Sequence, residues 1–519
     1  MESIGRCVLI CSGSFCNIDL RSEVGYVPPC FLPIKNKRLF QLQFEVIKKT
    51  LQYDSLIISL PDEFEIANED RNIFEKSGAE ICRVDDKLQL GRSIFSVLHN
   101  KVISSLIILH GDTLPIALQD VGDSVLVGEP KFEYHWDSLE SESNGAVLAG
   151  FFCFADGMFF KDCLVAESYD FFNSVRLYDS RRPLRQIDGT GWMDFGHAFS
   201  YLSSRAQIAT SRAFNELSIQ DGYLEKKSAN RGKLFREFCW YRSVPRSLRV
   251  NIPAVQEIRE NDIWIGYSTE YLPLVGLNEV WVYGSMPQRF WETKIRLLLD
   301  LLTKLKVVGT TFQSHKQPAK ANTWRQLIEY KTADRMREID ISEVDWHKNY
   351  KLNGRSSATL QEIQSVCLDH LMDLEPAESF FHGDFCLSNL FVDQRTNQVK
   401  MIDPRGIGED DSPLGPDLYD IGKLCHSIIG DYDYILADRF SLRLVGRNIE
   451  FEVGAHPNKF HLKNLLFYEL QKRFGYTKRD VIALIIILFQ SMVPLHYDNS
   501  TRQYAFLVNS VRLFEEFHE

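Results

Sequence analysis

Short runs of consecutive apolar residues alternate with helically spaced ones through the first two hundred residues. Cys7 to Cys11 is an unbroken apolar run, which predicts a strand buried on both faces, and it leads into Ser12-Gly13-Ser14. Helical spacing follows over Leu39 to Thr50, then a second buried strand over Ser55 to Leu60. The end of a helix is expected at Phe74 to Gly78, a strand at Ile81 to Val84 and a helix at Arg92 to His99. A strand over Ser105 to His110 stops at Gly111-Asp112. Such alternation, with strands apolar throughout, predicts an α/β fold with a mostly parallel sheet covered on both faces.

From about Ala198 the pattern changes. A helix is expected up to Phe214, then a β-hairpin over Leu217 to Lys227 around Gln220-Asp221-Gly222, and a helix over Lys233 to Trp240. Strands are expected at Ile263 to Tyr267 and Tyr271 to Leu274, with mainly helical spacing beyond. The order predicts two domains, 1–210 and 211–519, the second with a small β-containing lobe (about 211–280) and a helical lobe (about 281–519). No repeat or low-complexity linker intervenes, so the two parts are expected to pack together.

Composition adds limits. At 519 residues, 45% apolar and 25% charged, the chain is of ordinary globular type and too long for one core. A net charge of −11 without a long basic block argues against nucleic acid as the main partner. The eleven cysteines form no Cys-x-x-Cys pair, and reduced thiols are expected. The amino terminus lacks a secretory pattern, and the most apolar stretch, Val481 to Phe489, is about half a membrane span. The expectation is a cytoplasmic protein without membrane insertion, with homo-oligomerisation left open.

The segment His382 to Asp420 is the richest in chemistry. Phosphoryl transfer needs a carboxylate at the attacking hydroxyl and oxygen ligands for Mg²⁺. Asp384 and Asn389 have the D-x-x-x-x-N spacing of a kinase catalytic loop, and a strand pair, Leu390 to Asp393 and Val399 to Ile402, delivers Asp403. Asp417 and Asp420 open a helix after it. This string resembles the aminoglycoside phosphotransferase and choline kinase superfamily, whose fold is that of protein kinases; the resemblance covers roughly residues 213–519. It implies Asp384 as base, Asn389 and Asp403 as magnesium ligands, and Asp417 and Asp420 as braces of the catalytic loop. A small-lobe cation for the nucleotide phosphates falls to Lys226 or Lys227, with Glu237 as its partner. Glu270-Tyr271-Leu272-Pro273 resembles the hinge that holds adenine through backbone groups, which assigns Glu270 and Leu272 to ATP.

The first 210 residues resemble the sugar-phosphate nucleotidyltransferases, with a GT-A-type, Rossmann-like fold. The matching stretches are Ile10-Cys11-Ser12-Gly13-Ser14, Pro28 to Ile34, Gly91-Arg92-Ser93, and Gly150-Phe151-Phe152 beside the acceptor sugar. The resemblance implies that Ser12, Gly13, Ser14 and Gly91 contact a second NTP (CTP, UTP or GTP) and that Asp112 and Asp194 hold Mg²⁺. His110 and His197 read as packing or supporting residues. Pro29 stands where that family carries a phosphate-binding lysine; Arg21, Lys35, Lys37 and Lys131 are the alternatives. Together the halves imply a bifunctional enzyme: ATP phosphorylates a sugar, polyol or amino alcohol, and NMP is then transferred to the product, giving a nucleotide-activated precursor for capsule or other surface polysaccharide. The alternative is a kinase whose N-terminal domain only binds a nucleotide-sugar or regulates.

Overall fold

The computed structural model describes residues 2–116, 118, 122–130, 134–139, 146–208, 215–220, 222–228, 230–261, 263–313, 323–339, 345–407 and 412–518. The chain forms two compact units, Met1–Ile208 with Tyr283–Met286, and Ala209–Val282 with Pro287–Glu519.

In the first unit seven strands form one sheet: β1 (Glu2–Cys11), β2 (Ser55–Pro61), β3 (Ala79–Val84), β4 (Lys101–His110), β5 (Ser124–Gly128), β6 (Val147–Phe154) and β7 (Arg185–Asp188). Their order is β7-β5-β6-β4-β1-β2-β3. β1 runs parallel to β2 and β4, β2 to β3, and β5 to β7, while β6 is antiparallel to both neighbours. Cys7, Val8, Leu9 and Ile10 of β1 are all fully buried, the outcome expected of a central parallel strand with helices on both faces. Helix Leu39–Thr50 buries Leu39, Phe40, Gln43, Phe44 and Ile47, a single stripe at helical spacing. Tyr283–Met286 belongs to this unit through Ser285 N–H, which donates to Val24 O at 2.9 Å, and the Tyr283 hydroxyl, which donates to Asn36 O at 2.5 Å.

The second unit opens with an antiparallel sheet of β8 (Asn215–Gln220), β9 (Tyr223–Ser228), β10 (Val255–Glu260) and β11 (Ile263–Glu270), in the order β8-β9-β11-β10. Helix Arg231–Ser243 follows β9. The helical lobe contains Gln288–Gln313, Leu360–Met372, Asp417–Ile428, Lys459–Phe474, Lys478–Met492 and Ser500–His518. The hairpin Leu390–Asp393 with Gln398–Met401 turns at Asn397, whose φ is 54°.

Three expectations change. Tyr271 to Leu274 is not a strand: Pro273 has no N–H to offer a ladder, and Leu274 N–H turns back to Leu272 O at 2.8 Å. The helical lobe also holds a hairpin, Phe440–Val445 with Asn448–Val453, whose alternating burial the sequence displays around Gly446 (φ 62°). Val481 to Phe489 lies within a longer apolar helix, Lys478–His496, and the residues from Asp480 through Met492 are buried in the protein core. Each of its buried Leu and Ile side chains contributes about 1.5–3 kcal/mol by leaving water. The helix after Ala198 ends at Gln207; residues 209–214, Asp221 and Lys131 lie outside the described residues.

Candidate active sites

In the second unit, helix Arg231–Ser243 buries Glu237, Trp240 and Tyr241, spaced i, i+3 and i+4 on one face. Each commits its polar atom to a different part of one cleft. Glu237 Oε2 accepts from Lys226 Nζ at 2.5 Å and from the Tyr267 hydroxyl at 3.0 Å. Trp240 Nε1 donates to Phe381 O at 2.6 Å, and the Tyr241 hydroxyl accepts from Asp403 N–H at 3.2 Å. Lys226 also stands 3.2 Å from Asp403 Oδ1. Alternation along β9 sends Lys226 inward, its side chain 8% exposed, and Lys227 outward to Glu225 at 44%. Burial would lower the Lys226 pKa, but the carboxylates of Asp403 and Glu237 raise it above its ordinary value and keep it an ammonium.

The segment from His382 to Asn389 is braced by helix Asp417–Ile428. Asp420 accepts His382 N–H at 2.8 Å and Gly383 N–H at 2.7 Å. His382, fully buried, donates Nε2–H to Ile402 O at 3.0 Å and accepts Asp384 N–H on Nδ1 at 3.2 Å. Burial holds this imidazole neutral, down to about 4. Asp417, grouped with Asp420 by the sequence, serves elsewhere: its carboxylate meets the Tyr476 hydroxyl at 2.5 Å and Lys306 at 3.0 Å, because it sits at the helix start facing away from the loop.

Asp384 Oδ1 lies 2.9 Å from Lys423 Nζ, and Asn389 Nδ2 donates to Asp384 O and Oδ2, both at 2.9 Å. Burial would raise the Asp384 carboxyl; the Lys423 charge outweighs it and holds the group well below the usual carboxylate range. Asp384, Asp403, Lys226, Glu237 and Lys423 all line one cavity of about 420 Å³. With Asn389 Nδ2 committed to Asp384, its amide oxygen and the Asp403 carboxylate remain as hard donors. That set fits magnesium, which takes one or two carboxylates and completes its shell with phosphate and water. Asp403 has φ 53°, a left-handed backbone rare for a residue with a side chain, held by the Tyr241 bond. Glu270 lines a separate cavity of about 760 Å³ with Phe238, Ala254 and Val255, and its carboxylate accepts Ala254 N–H at 3.3 Å. Its side chain therefore does not reach the Lys226 cleft, and any hinge role for Glu270 and Leu272 rests on backbone groups.

In the first unit, β4 ends at His110 and the chain turns at Gly111-Asp112. Gln43, fully buried, fixes that turn by donating Nε2–H to Gly111 O at 3.3 Å and Thr113 O at 2.8 Å. Thr113 pairs antiparallel with Asp194, and Phe195 N–H donates to Asp112 O at 2.8 Å, so the two carboxylates converge. A Cβ at Gly196 would lie 2.9 Å from Asp112 Oδ2 and 3.3 Å from Asp194 Oδ1, which is why the residue between them is glycine. Burial first, and the Asp112 charge second, push Asp194 up to about 6; Asp112 is raised by burial. Asp194 Oδ2 is buried without a hydrogen-bond partner. Two adjoining carboxylates with an orphaned oxygen fit a divalent cation. Among the described residues no cluster of three or more His, Cys, Asp or Glu forms a metal cage, so at both sites substrate and water would complete the shell.

Other predicted contacts are taken up by the fold itself. Ser12 is buried, its N–H donating to Ser59 Oγ at 3.1 Å and its Oγ accepting Cys30 N–H at 3.0 Å, which leaves Gly13 and the exposed Ser14 as the open part of that loop. A Cβ at Gly91 would meet Tyr169 O at 2.2 Å, so close packing requires a glycine here. Arg21 Nε donates to Cys16 O at 2.5 Å, Lys35 Nζ to Ile208 O, and Lys37 pairs with Glu45 at 2.6 Å. The imidazole of His197 stacks on Tyr134 at 4.0 Å, and that of His110 packs among Phe152, Phe171 and Phe172. The sequence reading missed Gln43, Lys423, Lys331, Arg335, Arg405 and Tyr419; only Lys423, one turn after Asp420 on the same helix, had a positional signal.

No protein-family model matches the chain, and no curated protein matches it. Similar solved structures are of two kinds. A nucleoside-diphosphate-sugar pyrophosphorylase from Vibrio cholerae is 10% identical, with 38% of this chain and 99% of that one covered, at a TM-score of 0.30. An inositol-1-phosphate CTP transferase from T. maritima is 11% identical, with 41% and 99% covered, at 0.29. A choline/ethanolamine kinase family protein from Mesorhizobium loti is 10% identical, with 59% and 88% covered, at 0.35. By its own topology the chain joins a Rossmann-like α/β unit to a two-lobed α+β unit; structures similar to it include nucleotidyltransferases and a choline kinase-like protein. Its chemistry has to be read from its own side chains.

Proposed function

We propose that the second unit transfers the γ-phosphoryl group of ATP to a hydroxyl of a small metabolite, and that the first unit then transfers NMP from CTP, UTP or GTP to that product. The observation that carries the kinase reading is the convergence of Lys226, Glu237, Asp403, Asp384 and Lys423 on one cavity. Asp384 orients the attacking hydroxyl and accepts its proton; a carboxylate held this acidic is a weak base, but a loose phosphoryl-transfer transition state demands positioning more than proton abstraction. Lys226, fixed by Glu237, holds nucleotide phosphate oxygens, and Lys423 keeps Asp384 ionised. Asn389 and Asp403 hold magnesium, which when bound neutralises charge on the transferring group. Asp112 and Asp194 hold the metal of the second nucleotide. The product is a nucleotide-activated precursor of the kind used for surface polysaccharide.

The test is mass spectrometry of pooled sugars, polyols and amino alcohols incubated with Mg²⁺, ATP and each NTP in turn. A product that gains phosphate and then a nucleoside monophosphate supports both steps. One observation favours a second reading, a kinase with a non-catalytic first unit. Arg21, Lys35 and Lys37 are each bound to protein oxygens, so none of the three is held out for a pyrophosphate leaving group. A product that gains phosphate only, whatever NTP is present, decides for that reading.

A further inference from the structure

The cavity around Asp384 carries more positive charge than the kinase step uses. Its walls hold Lys226, Lys233, Lys331, Arg335, Arg405 and Lys423 against Glu237, Asp384 and Asp403. The three carboxylates are all paired, Glu237 and Asp403 with Lys226, and Asp384 with Lys423. Among the described residues, Lys331, Arg335 and Arg405 have no carboxylate partner. Lys331 Nζ meets the Tyr419 hydroxyl at 3.1 Å, and Arg335 donates to Ser491 O at 3.1 Å.

Their placement is on the helical-lobe side. Lys331 and Arg335 lie one turn apart in helix Lys331–Arg337, so two like charges share one face, an arrangement that costs helix stability unless an anion sits between them. Arg405 N–H donates to His382 O at 2.8 Å, and a Cβ at Gly383 would come within 2.6 Å of Arg405 Cβ. The Arg405 side chain therefore lies against the residue that precedes Asp384. Tyr419 and Lys423 come from the same helix one turn apart. The cations thus flank Asp384 on walls built by the helical lobe, while Lys226 enters from the small-lobe sheet.

We infer that the acceptor phosphorylated at Asp384 carries an anionic group of its own, a phosphate or carboxylate, which Lys331, Arg335 and Arg405 bind while its hydroxyl lies at Asp384. The inference rests on the kinase reading and narrows it, setting aside cationic amino alcohols as acceptors. Electrostatics agrees with it. Burial lowers Lys331, and repulsion from Arg405 and Arg335 adds to this, bringing it to about 8. Burial would raise the Tyr419 phenol, yet Lys331, Lys423 and Arg405 bring it down to about 7. A bound anion relieves the repulsion that lowers Lys331 and takes the place of the phenolate charge that the same cations favour on Tyr419.

The experiment is calorimetric titration of the full chain with inorganic phosphate and, separately, acetate, with Mg²⁺ and a non-hydrolysable ATP analogue already bound. Saturable binding of phosphate is the expected result, weakened about tenfold or more in Arg405→Gln and in Lys331→Gln/Arg335→Gln, with affinity for the analogue unchanged. Saturation by acetate in place of phosphate identifies a carboxylate. Anion binding that the analogue abolishes assigns the cations to ATP and overturns the inference, as does equal binding by all variants or none by wild type. Arg405→Gln guards against misfolding, since the Arg405 side chain is exposed. Failure of the ATP analogue to bind wild-type protein is a different outcome and removes the kinase reading itself.

Discussion

Lys423 Nζ stands 2.9 Å from Asp384 Oδ1, an ion pair between helix Asp417–Ile428 and the loop that this helix braces. Replacing Asp384 by Asn should lower kcat for phosphorylation about 10²–10⁴-fold, the range for loss of a positioned proton acceptor. Lys423→Met should leave the carboxylate without its counter-charge, so that its pKa rises and an acidic limb enters the pH–kcat profile. Steady-state kinetics across pH 5 to 8 checks both, and a Lys423→Met profile parallel to wild type would contradict the pairing.

Glu237 holds Lys226 through a charge-assisted bond of 2.5 Å. Such a bond is worth roughly 1.5–3 kcal/mol, so Glu237→Gln should cut kcat/KM for ATP by about 10- to 100-fold. The acceptor KM should stay near its wild-type value. An equal loss for both substrates would mean that the small lobe had been disturbed as a whole.

In the first unit the Asp112 charge, after burial, helps to raise Asp194, so the two carboxylates repel each other. Asp194→Asn should raise the melting temperature of the metal-free protein and abolish its further rise with Mg²⁺. Phosphorylation should survive and nucleotidyl transfer to a pre-phosphorylated acceptor should stop. Scanning calorimetry with and without Mg²⁺, beside the two activity assays, separates these effects.

The pH dependence of stability follows from buried groups in the second unit. His382, His456 and His496 are lowered by burial to about 4, and His426 to about 3. Unfolded, these histidines bind protons near 6.5, so the stability they contribute is full above that pH and is lost as pH falls toward 4. Asp420 and Asp433, raised by burial to about 7, act oppositely: their contribution is present at low pH and lost as pH rises through 7. Four histidines against two carboxylates leave a net uptake of about two protons on unfolding near pH 5. Melting temperature should therefore fall on acidification from pH 6.5 to 4, and a flat profile would rule this balance out.

Much of this was legible because it is local. The apolar run of β1 and the stripe of Leu39–Thr50 announce their own environment. The D-x-x-x-x-N spacing puts Asn389 against Asp384 within one loop. Lys226 follows from strand alternation. What stayed hidden depends on where distant chain segments meet. Arg405 reads as a loop residue until its backbone is seen tied to His382, and Lys331 as a surface lysine until it reaches Tyr419. At Ser12 and Gly91 packing also draws on the residues that the sequence assigns to a nucleotide, and one sequence does not show that second demand.

The four residues Tyr283–Met286 complete the first unit, yet they leave the ribosome after the whole sheet β8–β11. A chain stopped near residue 210 therefore lacks the donor for Val24 O and the hydroxyl for Asn36 O. Domains in nascent chains usually close in the order of their synthesis. Here that order is interleaved, because one segment of the first unit lies beyond the start of the second. Cutting the gene at the apparent junction would separate the early unit from its final piece, and a functional split would have to carry Tyr283–Met286 back to it.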